Sequence, residues 1–176
     1  MIDLLVIIVS LVFLVLFLTS IISVLYGAPY VVTDKETLEK IVNLVDIKKN
    51  TKVVDLGSGD GRIVIAFAKR GVEAHGFEVN PFLVALSKIN IRRKGLSNNA
   101  FIHWKNFWRQ DLSKFNVVVF YGITHVMFEL EQKLKEELKK GALVITHSYK
   151  LPNWNHSKKV GAIYLYKRQY GIKERN

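Results

Sequence analysis

Residues Leu4 to Leu25 read LLVIIVSLVFLVLFLTSIISVL, 22 consecutive positions without a charge and with only Ser10, Thr19, Ser20 and Ser23 as polar side chains. This run splits the chain in two. At about 1.5 Å per residue, a helix of that length covers roughly 33 Å, close to the ~30 Å hydrocarbon layer of a bilayer. A cleaved signal peptide fits less well. Met1-Ile2-Asp3 offers no basic n-region, and the run outlasts the usual ~7–15 apolar residues of such a segment. One transmembrane helix is expected, with residues 1–28 forming anchor and turn. Asp3 precedes the run whereas Lys35 and Lys40 follow it, a bias that places the remaining domain on the cytoplasmic side of a single-pass membrane protein.

Residues 29–176 number 148, enough for one compact domain. The absence of cysteine excludes disulfides, thiolate catalysis and thiolate zinc sites. The chain carries 26 Lys and Arg against 15 Asp and Glu, a formal net charge of +11; with Asp3 set aside, +12 rests on residues 29–176. Such a field attracts anionic headgroups, nucleic acid or acidic surfaces irrespective of fold. For a tethered domain, membrane lipid is the economical partner.

Beyond the Gly27-Ala28-Pro29 break, apolar periodicity alternates between strand and helix. Thr33 and Glu36 have the capping-box spacing, which predicts a helix carrying Leu38, Ile41, Val42 and Val45 on one face. Strands are expected at 52–56, 74–77, 100–103, 116–120, 142–146 and 160–166, with helices at 62–69, 81–94 and 127–140. In the last helix Glu129, Glu131, Glu136 and Glu137 alternate with lysines and read as solvated surface. The order predicts an α/β fold, a doubly wound Rossmann-like parallel sheet with helices on both faces. Few residues follow the fifth strand, so its C-terminal end should be abbreviated.

The densest local signal is VVDLGSGDGR, residues 53–62. A hydrophobic strand runs into glycines that let backbone approach a ligand, immediately before a helix N-terminus. Asp55 and Asp60 place two carboxylates around that turn, poor chemistry for cradling a pyrophosphate but suited to a cofactor bearing an amine or hydroxyls. Glu78 ends the second strand, placed to accept hydrogen bonds from a ribose diol. Together these features closely resemble the class I S-adenosylmethionine-dependent methyltransferases. The resemblance implies that Gly57, Ser58, Gly59 and Gly61 form the cofactor loop. It also implies that Asp55 and Asp60 act around the amino-acid end, and that Glu78 holds the ribose. YGAPYV, GFEVNPFLVALSKI, NFW, VVFYG and LEQKLKEELKKGALVITHSY extend the likeness over roughly residues 26–166. They look like the small membrane-anchored protein-lysine methyltransferases of the ATP synthase c-subunit and adenine nucleotide translocase type, with their prokaryotic relatives. The implied reaction is methyl transfer from S-adenosylmethionine to lysine of a small integral membrane or membrane-proximal protein.

Further candidates follow from position. Asn80 can support the ribose–adenine region, and Asn106 with Phe107 can bracket adenine. Tyr121 and Gly122 end the fourth strand, above which the transferred methyl should lie. Tyr30, Trp108, Tyr149 and Trp154, with His125 and His147, are candidates for the substrate wall; no histidine pair has metal-ligand spacing, and no metal is expected. RNA methylation is the principal alternative, drawn from the basic charge and from stacking aromatics, although no added RNA-binding domain is present. A lipid or small amphiphile is a second alternative substrate.

Overall fold

The computed structural model describes residues 2–25, 31–48 and 50–169. Helix α1 (Ile2–Leu25) takes up the apolar run. Its described side chains, at 4–15, 17–18 and 21, are all exposed and fall short of the full run. Among the described residues no helix is long and apolar enough to cross a membrane. The expected break at 27–29, and Tyr30, lie outside the described residues.

Helix α2 (Lys35–Asn43) begins one residue later than the capping box predicts. Asp34, not Thr33, is the cap, its Oδ1 accepting from the Thr37 amide at 2.9 Å. A carboxylate at this end also answers the positive pole of the helix dipole. The Thr37 hydrogen bonds hold the Asp34 carboxyl below the usual carboxylate range. Thr33 is released to a buried position, where its carbonyl oxygen accepts from Arg62 Nη1 at 2.7 Å.

Strands β1 (Lys52–Leu56), β2 (Glu73–Glu78), β3 (Ala100–Trp104), β4 (Val117–Tyr121), β5 (Leu143–His147), β6 (Lys158–Val160) and β7 (Ile163–Lys167) form one sheet in the order β3-β2-β1-β4-β5-β7-β6. The first five pair in parallel, as the alternation predicts. The last expected strand is instead a hairpin, turned at Gly161 with φ 59°, so β7 runs antiparallel to both β5 and β6 and the sheet is mixed. No described helix intervenes between β5 and β6, which is how the C-terminal end is shortened.

Period-two alternation sends successive strand residues to opposite faces. Val53, Val117 and Val119 face one core with α2, α3 (Arg62–Ala68) and α4 (Pro81–Arg93). Val54, Leu56, Val118, Phe120 and Val144 face another with α5 (Met127–Glu137). The charged side of α5 departs from the solvated reading. Glu131 is fully buried, pairs with Lys135 at 2.5 Å and accepts from the Asn153 amide at 2.7 Å, fastening the loop after β5. Glu137 pairs with Lys133 and accepts from the Leu112 amide at 2.8 Å. Because the chain leaves β1 toward β2 and later returns at β4, the carboxyl ends of β1 and β4 flank the switch point where open α/β sheets bind ligands.

Candidate active site

The loop after β1 is held by backbone. Gly57, Gly59 and Gly61 have φ of 81°, 54° and 81°, a region costly for residues with a Cβ. The amides of Gly57 and Ser58 donate to the Phe77 carbonyl at 2.9 and 3.0 Å, drawing the loop against the end of β2. That approach depends on Gly76, where a Cβ would meet Ser58 Cβ at 2.5 Å and Ile102 Cδ1 at 2.8 Å. Gly61 has a comparable packing role, since its Cβ would lie 2.9 Å from Ser87 Cβ on α4. Ser58 Oγ is buried in this loop without a hydrogen-bond partner, a polar atom suited to meeting a ligand.

Glu78 ties loop and strand together. Its Oε2 accepts from the Gly59 amide at 2.9 Å, and its Oε1 from the Val79 and Asn80 amides at 2.9 and 2.8 Å. Burial pushes the Glu78 carboxyl upward, against the lowering effect of those amides. A carboxylate has about four lone-pair sites, so three internal bonds leave room for a ribose hydroxyl. Asp55 is the more perturbed acid. It is buried, and burial together with the charges of Glu78 and Asp60 pushes its carboxyl up to about 8. Among the described residues no cation pairs with it. A cationic ligand in the cradle would restore its charge, as the ammonium and sulfonium of S-adenosylmethionine would. The residues present therefore fit that cofactor.

Asp60 is engaged differently from the sequence expectation. Its Oδ1 accepts from Arg62 Nε at 2.9 Å and its Oδ2 from Nη2 at 2.6 Å. Burial works to raise Asp60, but the hydrogen bonds and charge of Arg62 outweigh it and hold the carboxyl low. Arg62 is not among the sequence candidates, and its place directly after the glycine loop is the signal that marks it. With its other amine on the Thr33 carbonyl, it brings residues 31–33 over the cradle. Val31, Thr33, Asp55, Ser58 and Gly59 enclose about 20 Å³ there. A larger cavity of about 480 Å³ lies between α2, α3 and α4; Leu38, Val42 and Ile65 line it, and Asp60 and Arg62 form its boundary with the loop.

Across the switch point Leu56 pairs with Phe120, so the loop begins one register step from Tyr121. Tyr121 pairs with His147 on β5, their rings 4.3 Å apart. Burial lowers the His147 imidazole while Asp34 works the other way, so the cap of α2 is felt at the end of β5. His147 Nδ1 lies 2.9 Å from Ser148 Oγ. Tyr149 is exposed just beyond, and Gly122 is buried at the end of β4.

The other candidates have internal partners. Asn80 caps α4, its Oδ1 accepting from the Phe82 amide at 3.0 Å, and Asn106 accepts from the Trp108 amide at 3.0 Å. That second cap starts a 3₁₀ turn in which Phe107 is buried with its ring against Phe120. Trp108 is half-buried with its ring 4.8 Å from Phe107. Trp154 packs on Tyr166, with Lys135 Nζ 5.9 Å from its ring. Tyr30 lies outside the described residues.

Residues 55–158 match the family model described as the ANTKMT methyltransferase domain. The human lysine N-methyltransferase of the ATP synthase c-subunit is 37% identical over 126 residues, which cover 72% of this chain and 54% of that protein. A protein-lysine N-methyltransferase of Saccharolobus islandicus is 34% identical over 129 residues, covering 72% of this chain and 80% of that one. The chain thus spans about half the length of the vertebrate c-subunit enzymes it matches. Among solved structures, an RNA methyltransferase from Salinibacter ruber in complex with S-adenosyl-L-homocysteine superposes with a TM-score of 0.78 at 29% identity, covering 82% of this chain and 97% of that one. On the match through the loop, β2 and the β4–β5 edge, the chain belongs to the ANTKMT methyltransferase domain family.

Proposed function

We propose that this chain transfers a methyl group from S-adenosylmethionine to a lysine side-chain amine of a small integral membrane protein or a membrane-proximal protein. The observation that carries the reading is the order along the carboxyl edge. Glu78, the glycine loop over Asp55, Tyr121 and His147 stand on adjacent strands β2, β1, β4 and β5. The names of the relatives agree with it, since they include lysine methyltransferases of the ATP synthase c-subunit and of the adenine nucleotide translocase.

When bound, the cofactor supplies an already activated methyl on a sulfonium, so the protein's task is alignment and exclusion of water. Glu78 and the loop amides set the ribose end, while Asp55 and Ser58 Oγ offer their polar atoms to the amino-acid end. Tyr121 presents an aromatic face next to the buried Gly122, where backbone admits a close approach. The acceptor amine has to lose a proton before it attacks. With its own proton on Nδ1 and donated to Ser148 Oγ, a neutral His147 leaves Nε2 free to accept it.

Residues 29–176 form the methyltransferase domain in this reading, and residues 1–28 anchor it. Although no helix is long and apolar enough for a span among the described residues, the 24-residue backbone of α1 rises about 36 Å at 1.5 Å per residue, which supports the anchor reading for the whole apolar run. The domain then lies on the cytoplasmic side. Purified full-length protein, given radiolabelled methyl donor and matched membrane-protein, lipid and RNA fractions, tests the substrate class. Acid-stable label on a small membrane protein, mapped to lysine by mass, is the expected result. RNA is the second reading, favoured by the name of the Salinibacter ruber relative and by the basic charge; label confined to RNA would replace the first reading with it.

A further inference from the structure

Outside α1, exposed large apolar side chains gather at one edge of the sheet. Phe82 follows β2, Trp104 ends β3, Phe128 follows β4 and Tyr149 follows β5, one at each of four successive carboxyl exits. Val31 and Val32 join them beside the cradle. Leu86 and Ile89 continue the line of Phe82 along α4 at helical spacing. The amino edge, where the same strands begin, carries no exposed large apolar side chain among the described residues; Lys48, Asn98, Asn116 and Lys140 are typical of it.

Trp104 is the most telling member. It is 66% exposed, yet its Nε1 donates to the Val79 carbonyl at 2.9 Å. The one polar atom of the indole is satisfied internally, which fixes the ring and leaves only apolar surface outward. Phe128, at 55% exposure, has no polar atom to offer. Exposed lysines accompany the aromatics: Lys105 follows Trp104, Lys150 follows Tyr149, and Lys35 opens α2. The exposed acids at the same level include Asp34, Glu36 and Glu129, beside the acids of the cradle. Aromatic rings alternating with lysines suit the headgroup layer of an anionic bilayer, where rings sit at the interface and ammonium groups meet phosphates. Chain length allows it. Five residues separate Leu25 from Val31, so α1 and this edge are joined by at most about 20 Å of extended chain.

We infer that the carboxyl edge of the sheet docks on an anionic bilayer surface, with Phe82, Trp104, Phe128 and Tyr149 in the headgroup layer and the acceptor side of the cleft opening onto the membrane. The inference rests on the anchor reading of α1 for its proximity. It deepens the proposed function, because it confines accessible lysines to those held at the surface of the bilayer.

The absence of cysteine permits single-site labelling of the full chain. Environment-sensitive fluorophores are placed at Thr124→Cys and Phe128→Cys on the carboxyl edge, Asn98→Cys on the amino edge and Val9→Cys in α1. The protein is then reconstituted in vesicles of phosphatidylcholine with phosphatidylglycerol. Labels at 124 and 128 should shift to the blue and lose several-fold of their accessibility to an aqueous quencher, while the label at 98 stays accessible. Trp104→Ser combined with Phe82→Ser should return the 124 label to water without moving the label at 9. A protected label at 9 with wet labels at 124 and 128 overturns the docking and leaves the anchor standing. Protected edge labels with a wet label at 9 overturn the anchor and support docking by the edge itself. Wet labels at all sites overturn both. Edge labels protected only after a membrane-protein substrate is added overturn the bilayer assignment in favour of a protein face.

Discussion

The two halves of the carboxyl edge are built from different materials. On the β1–β2 side the backbone does the positioning: three left-handed glycines, two amides on the Phe77 carbonyl and three more on Glu78. On the β4–β5 side the visible chemistry consists of side chains at strand ends, chiefly Tyr121, His147 and Tyr149. The contrast suits methyl transfer. A bulky cofactor of fixed shape rewards a preorganised cradle, whereas the proposed acceptor, an amine at the tip of a flexible chain, needs an aligned, partly dry approach.

The largest expected effect lies in the cradle. Glu78→Ala removes the acceptor proposed for the ribose hydroxyls and releases the Gly59 amide that shapes the loop, so S-adenosylmethionine affinity should fall by about 100-fold or more. Calorimetry checks this, and unchanged affinity would show that the loop keeps its shape without the carboxylate. Gly76→Ala comes next. The Cβ forced to within 2.5 Å of Ser58 should cost about 1–3 kcal/mol of folding stability in urea titrations and loosen cofactor binding in parallel. On the other half, Tyr121→Ala should slow turnover by about 10- to 100-fold through misalignment while cofactor affinity stays nearly constant. Equal losses in both would erase the division between the halves.

Asp55 gives the comparison a pH axis. Its folded-state pKa is raised from 3.8 to about 8, so its contribution to stability is fully present below about pH 4 and is lost as pH rises through about 8. A cationic cofactor favours the ionised form, so binding below that pKa should release a proton and tighten as pH rises. Calorimetry in buffers of different ionisation enthalpy measures the proton, and Asp55→Asn should abolish its release. The smallest effect is expected from Trp154→Phe, which should leave turnover unchanged. A clear loss of kcat would move the boundary of the acceptor half outward to the loop below α5.

Much of the cradle was legible because its constraints are local. A β-strand, glycines where φ must turn positive and an acid at the next strand end are written in a short stretch of chain. What escaped depends on partners distant in sequence. Glu131 reads as helix surface until the Asn153 amide is found against it, and Gly76 reads as an ordinary strand glycine until the loop closes on it. Phe107 and Trp154 carry the same composition signal as site aromatics, and only packing on Phe120 and Tyr166 separates the roles. The shifted cap at Asp34 and the hairpin at Gly161 are single-residue decisions. Adjacent residues compete on nearly equal terms there, and tertiary contacts choose between them.

Arg62 adds a mechanical property to the molecule. Its guanidinium forms a short strut from Asp60 in the loop to the carbonyl of Thr33, and Thr33 stands only eight positions beyond the last residue of α1. The first turn of α3 is therefore fastened both to the glycine loop and to the residues just before α2. The loop that shapes the cradle is thus also tied, through one side chain, to the segment that leads into α2.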